Sequence, residues 1–545
     1  MHETLLGDAN RERLQAIQSQ QEKVTDLDLQ AASSKLLSAA TPEVTSPNLP
    51  HQAIASFSEC TVSHAQALRD IGLELFSNLD ALLASRPKDE ENPSSEAVHS
   101  ISDEDLSHAQ SLIGPVVKKL LNLSNDPVNI DAQGYTTRSL TAEVGLALLI
   151  LISLLPAPSS NPLPLDDAAL IRIVAYTDEN DPWTTTQSAR LASRLLETSL
   201  TDDSKRDTFI IQSLLNDTLR PQFAKSSSTR LTPSGRPLQV PHQPSGRQQP
   251  GTQLASLSQE HEKLHAASSF QWAVTSCSQA AIARHWPLFL PILLSLAEDI
   301  NTTVRAKGLK ILLLFLDKCP PKTILSAGVD NVIQDAVFPT LLFLPDTTPE
   351  SESLQLLYPA YKVLLRVAQL DPDAKSVRRR KLLDKLLRDG VFTGHFHASQ
   401  HVRIVKVLMD VIKDIVSCLG PFSAKHLQNL LRLFSTTLSD PFITAYPPLV
   451  CATAEALNTT LINCWPRFST PGYIDQVIHT ISLCWLNLQS SQLPTQDRDQ
   501  ISAHLIRTSN ILQAIWSREG SGPPAQLAAV LQKELRLAEL LPNAL

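Results

Sequence analysis

The chain has 545 residues, of which 43% are hydrophobic but only 5% aromatic, and glycine numbers just 16. The apolar content is therefore aliphatic and rich in Leu, which favours helix, because Leu and Ala lose little rotamer freedom there and Gly is costly. Lys and Arg total 47 against 55 Asp and Glu, a formal charge of −8, and a mildly acidic chain lacks the basic footprint of a nucleic-acid binder.

Seven cysteines are scattered at Cys60, Cys277, Cys319, Cys418, Cys451, Cys464 and Cys484, with no CxxC. Free buried thiols in a reducing compartment are the natural expectation. The opening MHETLLGDANRER has no apolar core of a signal peptide. The longest apolar run, Val144 to Leu155, stops at Pro156, short of the about 20 residues that cross a bilayer. It reads as a buried core helix. The expectation is a cytoplasmic and nuclear protein with no membrane and no direct nucleic-acid contact.

Residues 1–40 carry helical patterning with many Gln and charged residues, and TPEVTSPNLP at 41–50 breaks it. A helix resumes over 51–84, with Ile71, Leu75, Leu79, Leu82 and Leu83 at helical spacing. RPKDEENPSSE at 86–96 is a polar loop, and Ser102 to Asp105 reads as a capping sequence for a helix from about 103. After the break NPLP at 161–164, residues 166–200 hold a helical pair, DDAALIRIVAY and TTTQSARLASRLLETSL, joined by TDENDPW. A helix–turn–helix with a polar turn is the unit of an α-solenoid.

Residues 224–255 are rich in Ser, Pro, Gly, Gln and Arg and have no periodic apolar face. Such a segment cannot bury enough surface to offset its ordering entropy, so it reads as a disordered loop. The expected organisation is an N-terminal region of divergent helical hairpins over 1–223, this loop, and a C-terminal HEAT-like region over 256–545. In that region turns are placed near Asp299, Asp346, Asp389 and Asp440, at intervals of 47, 43 and 51 residues, and near Gln489 to Gln496. HEAT and armadillo repeats run about 40–47 residues. No period-2 runs bounded by hairpin turns occur, so the fold class is all-α, an α-solenoid of divergent HEAT-like repeats.

The most specific repeat is residues 287–319. Its first helix holds Leu288, Leu290, Ile292, Leu293 and Leu296; its second holds Val304, Leu309, Ile311, Leu312, Leu313 and Leu316. Pro291, Asp299, Val304 and Arg305 stand at HEAT-consensus spacing. Proline bends the first helix, and Asp299 is expected to accept backbone N–H bonds at the start of the second. Arg305 is expected to reach the aspartate of a neighbouring repeat.

Catalytic candidates are few. HEKLH at 261–265 matches HExxH, in which His261 and His265 would bind zinc and Glu262 act as base, with Glu298 as the third ligand that position offers. Its charged flanks, Glu260 and Lys263, favour a solvated helical face instead. His395, His397 and His401 form HxHxxxH, with no carboxylate or Cys to complete a metal site, and read as polar turn residues. KSVRRRK at 375–381 is the one dense basic run, either a localisation or phosphate patch or the exposed start of a helix; charge runs are usually solvated faces. P-loop, GxGxxG, GxSxG and kinase motifs are missing, so no catalytic, metal or cofactor residue is assigned.

The 285–370 tract goes further. The HWP of His285, Trp286 and Pro287, the VRxxGL of Val304, Arg305, Gly308 and Leu309, and the FPTLLFLP tract with Phe338, Pro339, Leu344 and Pro345 precede a final helix. That helix carries Glu352, Ser353, Leu354, Pro359, Ala360 and Tyr361. Together these resemble the Tel-two-interacting-protein-two family, the Tti-two-type subunit of the TTT co-chaperone complex. The resemblance covers about a sixth of the chain. It implies a non-catalytic scaffold that works with Tel-two-type and Tti-one-type helical-repeat partners. With the ninety-kilodalton heat-shock chaperone machinery, such a scaffold supports maturation of phosphatidylinositol-three-kinase-related kinases. The alternative is a generic HEAT adaptor in nuclear transport or trafficking.

Overall fold

The computed structural model describes residues 165–223 and 250–541, apart from 469–471 and 519–526, together with six isolated helical positions between Val117 and Leu149. The helical patterns at 1–40, 51–84 and from about 103, the loop at 86–96 and residues 224–249 lie outside the described residues. Within the apolar run Val144 to Leu155, Leu146 and Leu149 are buried helical residues. All regular structure among the described residues is helical, and the architecture is a helical-repeat solenoid. The chain divides into two compact units, Met1–Ile292 and Leu293–Leu545.

Two expectations about the 224–255 segment change. A helix begins at Pro250, so residues 250–255 are helical. The division between units falls at Ile292 and Leu293, inside a helix, rather than in the Ser/Pro-rich segment. Composition marks where a chain cannot pack; it does not mark where contacts thin out.

The first unit is described from α1 (Asp167–Val174) and α2 (Thr186–Ser199), the pair that the apolar spacing places here. Asp166 caps α1 by accepting from the Ala169 N–H at 3.0 Å. Thr185 and Ser188 form a reciprocal capping box on α2. The turn between them is closed by Trp183, which is fully buried. Its indole N–H donates to the Ala175 carbonyl at 3.3 Å, and its ring stacks on His265 at 4.1 Å. Next, α3 (Asp203–Thr208) runs into a π-helical stretch, Phe209–Leu219. α4 (Pro250–Ser276) and α5 (Gln279–Ala297) follow. Asp207 accepts from the Ser278 backbone N–H at 2.9 Å, tying α3 to the α4–α5 junction.

The second unit repeats one theme. α6 (Thr302–Lys318), α9 (Glu350–Gln369), α12 (Val402–Leu419), α14 (Pro447–Cys464) and α16 (Thr495–Arg518) each pack on the next. Their first residues, 302, 350, 402, 447 and 495, are 48, 52, 45 and 48 apart. Between α6 and α9 lie α7 (Pro321–Ser326), α8 (Val329–Val337) and a 3-10 turn, Phe338–Leu342. α10 (Val377–Lys385) continues through the π-helical Leu386–Phe392 into α11 (Thr393–Ala398). α13 (Leu427–Leu438) and α15 (Tyr473–Ser490) complete a second layer that packs on the first, and α17 (Leu527–Lys533) follows.

The turn expected at Asp389 is not there. Asp389 lies inside the continuous α10–α11 helix, paired with its neighbour Arg388 at 2.6 Å, and the turn comes at 399–401. The adjacent Gly390 reads like a helix stop but serves packing. A Cβ there would lie 3.1 Å from the Tyr361 hydroxyl and 3.2 Å from Leu341.

By length and composition α5 could cross a membrane. Yet Phe289, Ile292, Leu293 and Leu296 on it are buried against protein, as in a core helix. Phe289 is the buried anchor, whereas Leu288 and Leu290 are only half-buried. The α5–α6 hairpin is closed by Gly308. A Cβ added there would sit 2.6 Å from Leu296 Cβ and 2.8 Å from its backbone carbon. Backbone cannot yield as a flexible side-chain tip can. Gly308→Ala is therefore expected to destabilise the second unit by about 1–3 kcal/mol, read as an earlier denaturant midpoint. An unchanged midpoint would show that the two helices can separate at no cost.

Candidate interaction surface

The α5–α6 turn is the most specific element of the sequence, and its residues divide the work differently from expectation. Asn301, not Asp299, is the N-cap of α6: its side-chain oxygen accepts from the N–H groups of Thr303 at 2.9 Å and Val304 at 3.0 Å. Asp299 is buried and accepts from the Asn301 N–H at 2.9 Å, shaping the turn that presents the cap. The signal was available, since Asn directly before a Thr-Thr helix start is a strong N-cap type. Val304 is fully buried behind it.

Among the described residues Arg305 pairs with no aspartate of a neighbouring repeat. Its guanidinium donates to the Asp299 carbonyl at 2.8 Å and the Glu298 carbonyl at 3.1 Å, which are orphan acceptors at the end of α5. The next repeat is still touched, because the guanidinium lies 4.3 Å from the centre of the Phe343 ring. Burial lowers the Arg305 pKa, with Asp299 and Glu298 opposing the shift.

Between repeats, polar bridges run from one ladder helix to the next. Arg366 on α9 meets Asp317 on α6 at 2.6 Å, and Lys362 meets Asp414 on α12 at 2.8 Å. Lys413 on α12 meets Glu455 on α14 at 2.8 Å, and His504 on α16 lies 3.7 Å from the same carboxylate. Each bridge joins matched heights, so the ladder helices are parallel and in register. Hydrogen bonding to Lys413 holds the Glu455 carboxyl below the usual glutamate range and raises Lys413 in turn. The pairs are half-exposed, so each contributes about 0.2–1 kcal/mol; they set register more than stability.

The family-type positions build the walls of this frame. His285 and Trp286 are half-buried on α5, and Pro287 and Pro291 lie exposed within the same helix. Phe338 and Pro339 open the 3-10 turn, with the Lys385 ammonium 4.2 Å from the Phe338 ring. Leu344 is buried beside the half-buried Pro345 in the turn that follows. Pro359 sits inside α9, where Ser353, Ala360 and Tyr361 are fully buried and Leu354 half-buried. Burial pushes the Tyr361 phenol up.

The three arginines of the basic run are engaged in the fold, whereas Lys375 and Lys381 are exposed as a solvated face would be. Arg378 forms an ion pair with Asp330 of α8, whose side chain is only 2% exposed. Arg379 donates to the carbonyls of Asp371 at 3.3 Å and Cys418 at 3.4 Å. Arg380 stacks on Phe422 at 4.3 Å. A single-sequence charge pattern does not reveal that the acceptors for this run lie at residues 330, 371, 418 and 422.

The histidine motifs do not converge. In HEKLH, Glu262 is exposed and His265 is stacked on Trp183; the His261 side chain is outside the described set. Burial lowers the His395 pKa, His397 packs edge-on to Phe396, and His401 faces Glu350 at 3.5 Å. Among the described residues no group of three His, Cys, Asp or Glu could hold a metal ion. The described cysteines are free thiols, and burial pushes Cys319 and Cys451 up to about 11. Thiols that weakly acidic are poor nucleophiles at neutral pH.

A sequence model of the Tti2 family matches residues 169–445, just over half of the chain. The match reaches well before the 285–370 tract and takes in α1 to α4. No curated protein matches. Among solved structures, the crystal structure of an engineered protein from the Northeast Structural Genomics Consortium is 15% identical. That likeness has a TM-score of 0.32 and covers 89% of this chain and 99% of the other; it is too loose to inform the argument.

Two outcomes follow from this geometry. Arg378→Ser strands the Asp330 carboxylate and should cost about 2–3 kcal/mol, somewhat less than breaking a fully buried pair, because Arg378 is 41% exposed. A denaturant midpoint equal to wild type would return the run to the solvated class. For Glu455 the folded pKa is depressed, so its stabilisation is present above the unfolded value of about 4.3 and is lost as pH falls through the folded value. The stability gap between wild type and Glu455→Gln should therefore be widest near neutrality and close below that range. A gap independent of pH would mean that the bridge does not form.

Proposed function

The chain belongs to the Tti2 family, whose members are subunits of the TTT complex, and on that premise we propose that it is a non-catalytic scaffold supporting phosphatidylinositol-three-kinase-related kinases. The observation that carries this reading is the family match across 169–445. Its partners in this proposal are the Tel-two-type and Tti-one-type helical-repeat subunits, the kinases themselves and the heat-shock chaperone machinery. It acts in the cytoplasm and nucleus, and through those kinases it bears on DNA-damage responses, telomere maintenance and TOR signalling.

The physics of the second unit suits such a role. Repeat arrays build extended surfaces from short-range contacts and hold them without a large central core. A registered ladder of five helices, closed turn by turn, offers a firm support for other helical proteins. Holding a client during maturation needs surface and register, and no bond in the client has to be made or broken.

Depletion of the chain from cells tests the proposal. Steady-state levels of the related kinases should fall while their messenger RNA stays constant. Affinity capture of the tagged chain should recover two large helical-repeat proteins. Unchanged kinase levels, together with capture of Ran-type GTPase or coat proteins, would overturn this reading in favour of a transport or trafficking adaptor.

A further inference from the structure

The ladder helices of the second unit are parallel, so the turns that lead into them fall along one edge. Three contacts tie the first three turns side by side. The Thr302 hydroxyl donates to Glu352 at 2.7 Å, Arg305 covers Phe343, and His401 faces Glu350. Each of the four junctions leading into these helices exposes at least one large apolar side chain. Ile300 is 71% exposed before α6, Leu342 54% at the end of the 3-10 turn before α9, Phe396 79% in α11 with Val402 43% at the start of α12, and Phe442 81% before α14. Single exposed apolar residues are unremarkable. Recurrence at four successive junctions is a row.

The row has a period and a charge. Packed helices lie about 8–10 Å apart, and seven residues of an α-helix rise about 10 Å. A helix laid along the edge would thus bring one residue in every seven to each turn. Beside the apolar row stand exposed carboxylates, Glu298 next to Ile300, Asp346 near Leu342 and Asp440 next to Phe442. Arg403 is exposed beside the third junction, which also carries His395, His397 and His401. Both features complement a helix with an apolar heptad stripe flanked by Lys and Arg.

We infer that this edge docks a basic amphipathic helix of a partner protein, about 22 residues long, with the apolar stripe on Ile300, Leu342, Phe396 and Phe442. The inference rests on the scaffold reading and names the surface through which it works. The four side chains are 54–81% exposed, and Phe396 meets the ring of its neighbour His397, so the buried core is not at stake when they are replaced. An anionic membrane is disfavoured by the acidic flank.

A dye-labelled synthetic helix of about 25 residues, with Leu at every seventh position and Lys on both flanks, is titrated into the full chain and followed by anisotropy. Binding should weaken about tenfold or more in F396S/F442S, about 1.4 kcal/mol or more, and stay unchanged in V332S, whose side chain is exposed on α8. A Glu-flanked version of the peptide should bind about tenfold more weakly. Thermal melts of all variants should match wild type. Overturning results are no binding of the Lys-flanked peptide, equal binding to F396S/F442S, or equal binding of the Glu-flanked peptide. Edge-dependent adsorption to phosphatidylserine vesicles in place of the peptide would overturn it as well. Kinase levels after depletion read the scaffold role separately, so either idea can fail alone.

Discussion

A helical hairpin by itself leaves one apolar face uncovered, and in the second unit that face is covered only by the next hairpin. The packing of α6 on α9, α9 on α12, α12 on α14 and α14 on α16 is the constraint on which the rest depends. Because α9, α12 and α14 each lie between two other ladder helices, their buried stripes are wide and their solvent stripes narrow. On α9 only Ser351, Gln355, Tyr358 and Gln369 are exposed among 20 residues. Stacking of this kind is local and additive, so repeat lengths of 45 to 52 residues coexist without a break in the ladder.

The variation in repeat length goes into the connections. Between α6 and α9 the chain inserts α7 and the 3-10 turn Phe338–Leu342, whereas α13 reaches α14 through a single short 3-10 turn, Ile443–Ala445. What stays constant is the height at which the bridges meet. Lys362 with Asp414 and Lys413 with Glu455 fix neighbouring helices against sliding, which an apolar seam alone does weakly. The cations spent on this task are also those that a charge count would assign to partners. Lys362, Arg366 and Lys413 are engaged within the chain, as are Arg378, Arg379 and Arg380.

Much of this was legible in the sequence, for identifiable reasons. Helix is read from aliphatic periodicity, which is local, and the turns at Asp299, Asp346 and Asp440 coincide with real ends of helices. The turn at Asp389 misled because Asp-Gly has two uses: it stops helices, and it also lets a side chain approach. Here Tyr361 and Leu341 claim the space at Gly390, and both are far away in sequence. The roles of Asp299 and Arg305 were misplaced by one step, since the motif fixes the spacing but not which carbonyls and ring the guanidinium finds. Asp330, Phe343 and Trp183 were missed altogether. Each matters through a partner that no local pattern identifies: Arg378, Arg305 and His265.

The division of surfaces has a consequence for how such a scaffold can change. Residues on the ladder face set register as well as meeting solvent, so altering Glu455 to suit a partner would also loosen α12 against α14 and disturb His504 on α16. The largely exposed residues Ile300, Phe396 and Phe442 carry no such double duty, because the packing beside them is settled one or two residues away, at Asn301, Ala398 and Ile443. Binding preference can therefore drift at the edge while the stack stays intact. In a protein whose stability comes from neighbour contacts alone, that separation lets a surface specialise without unfolding the repeats that present it.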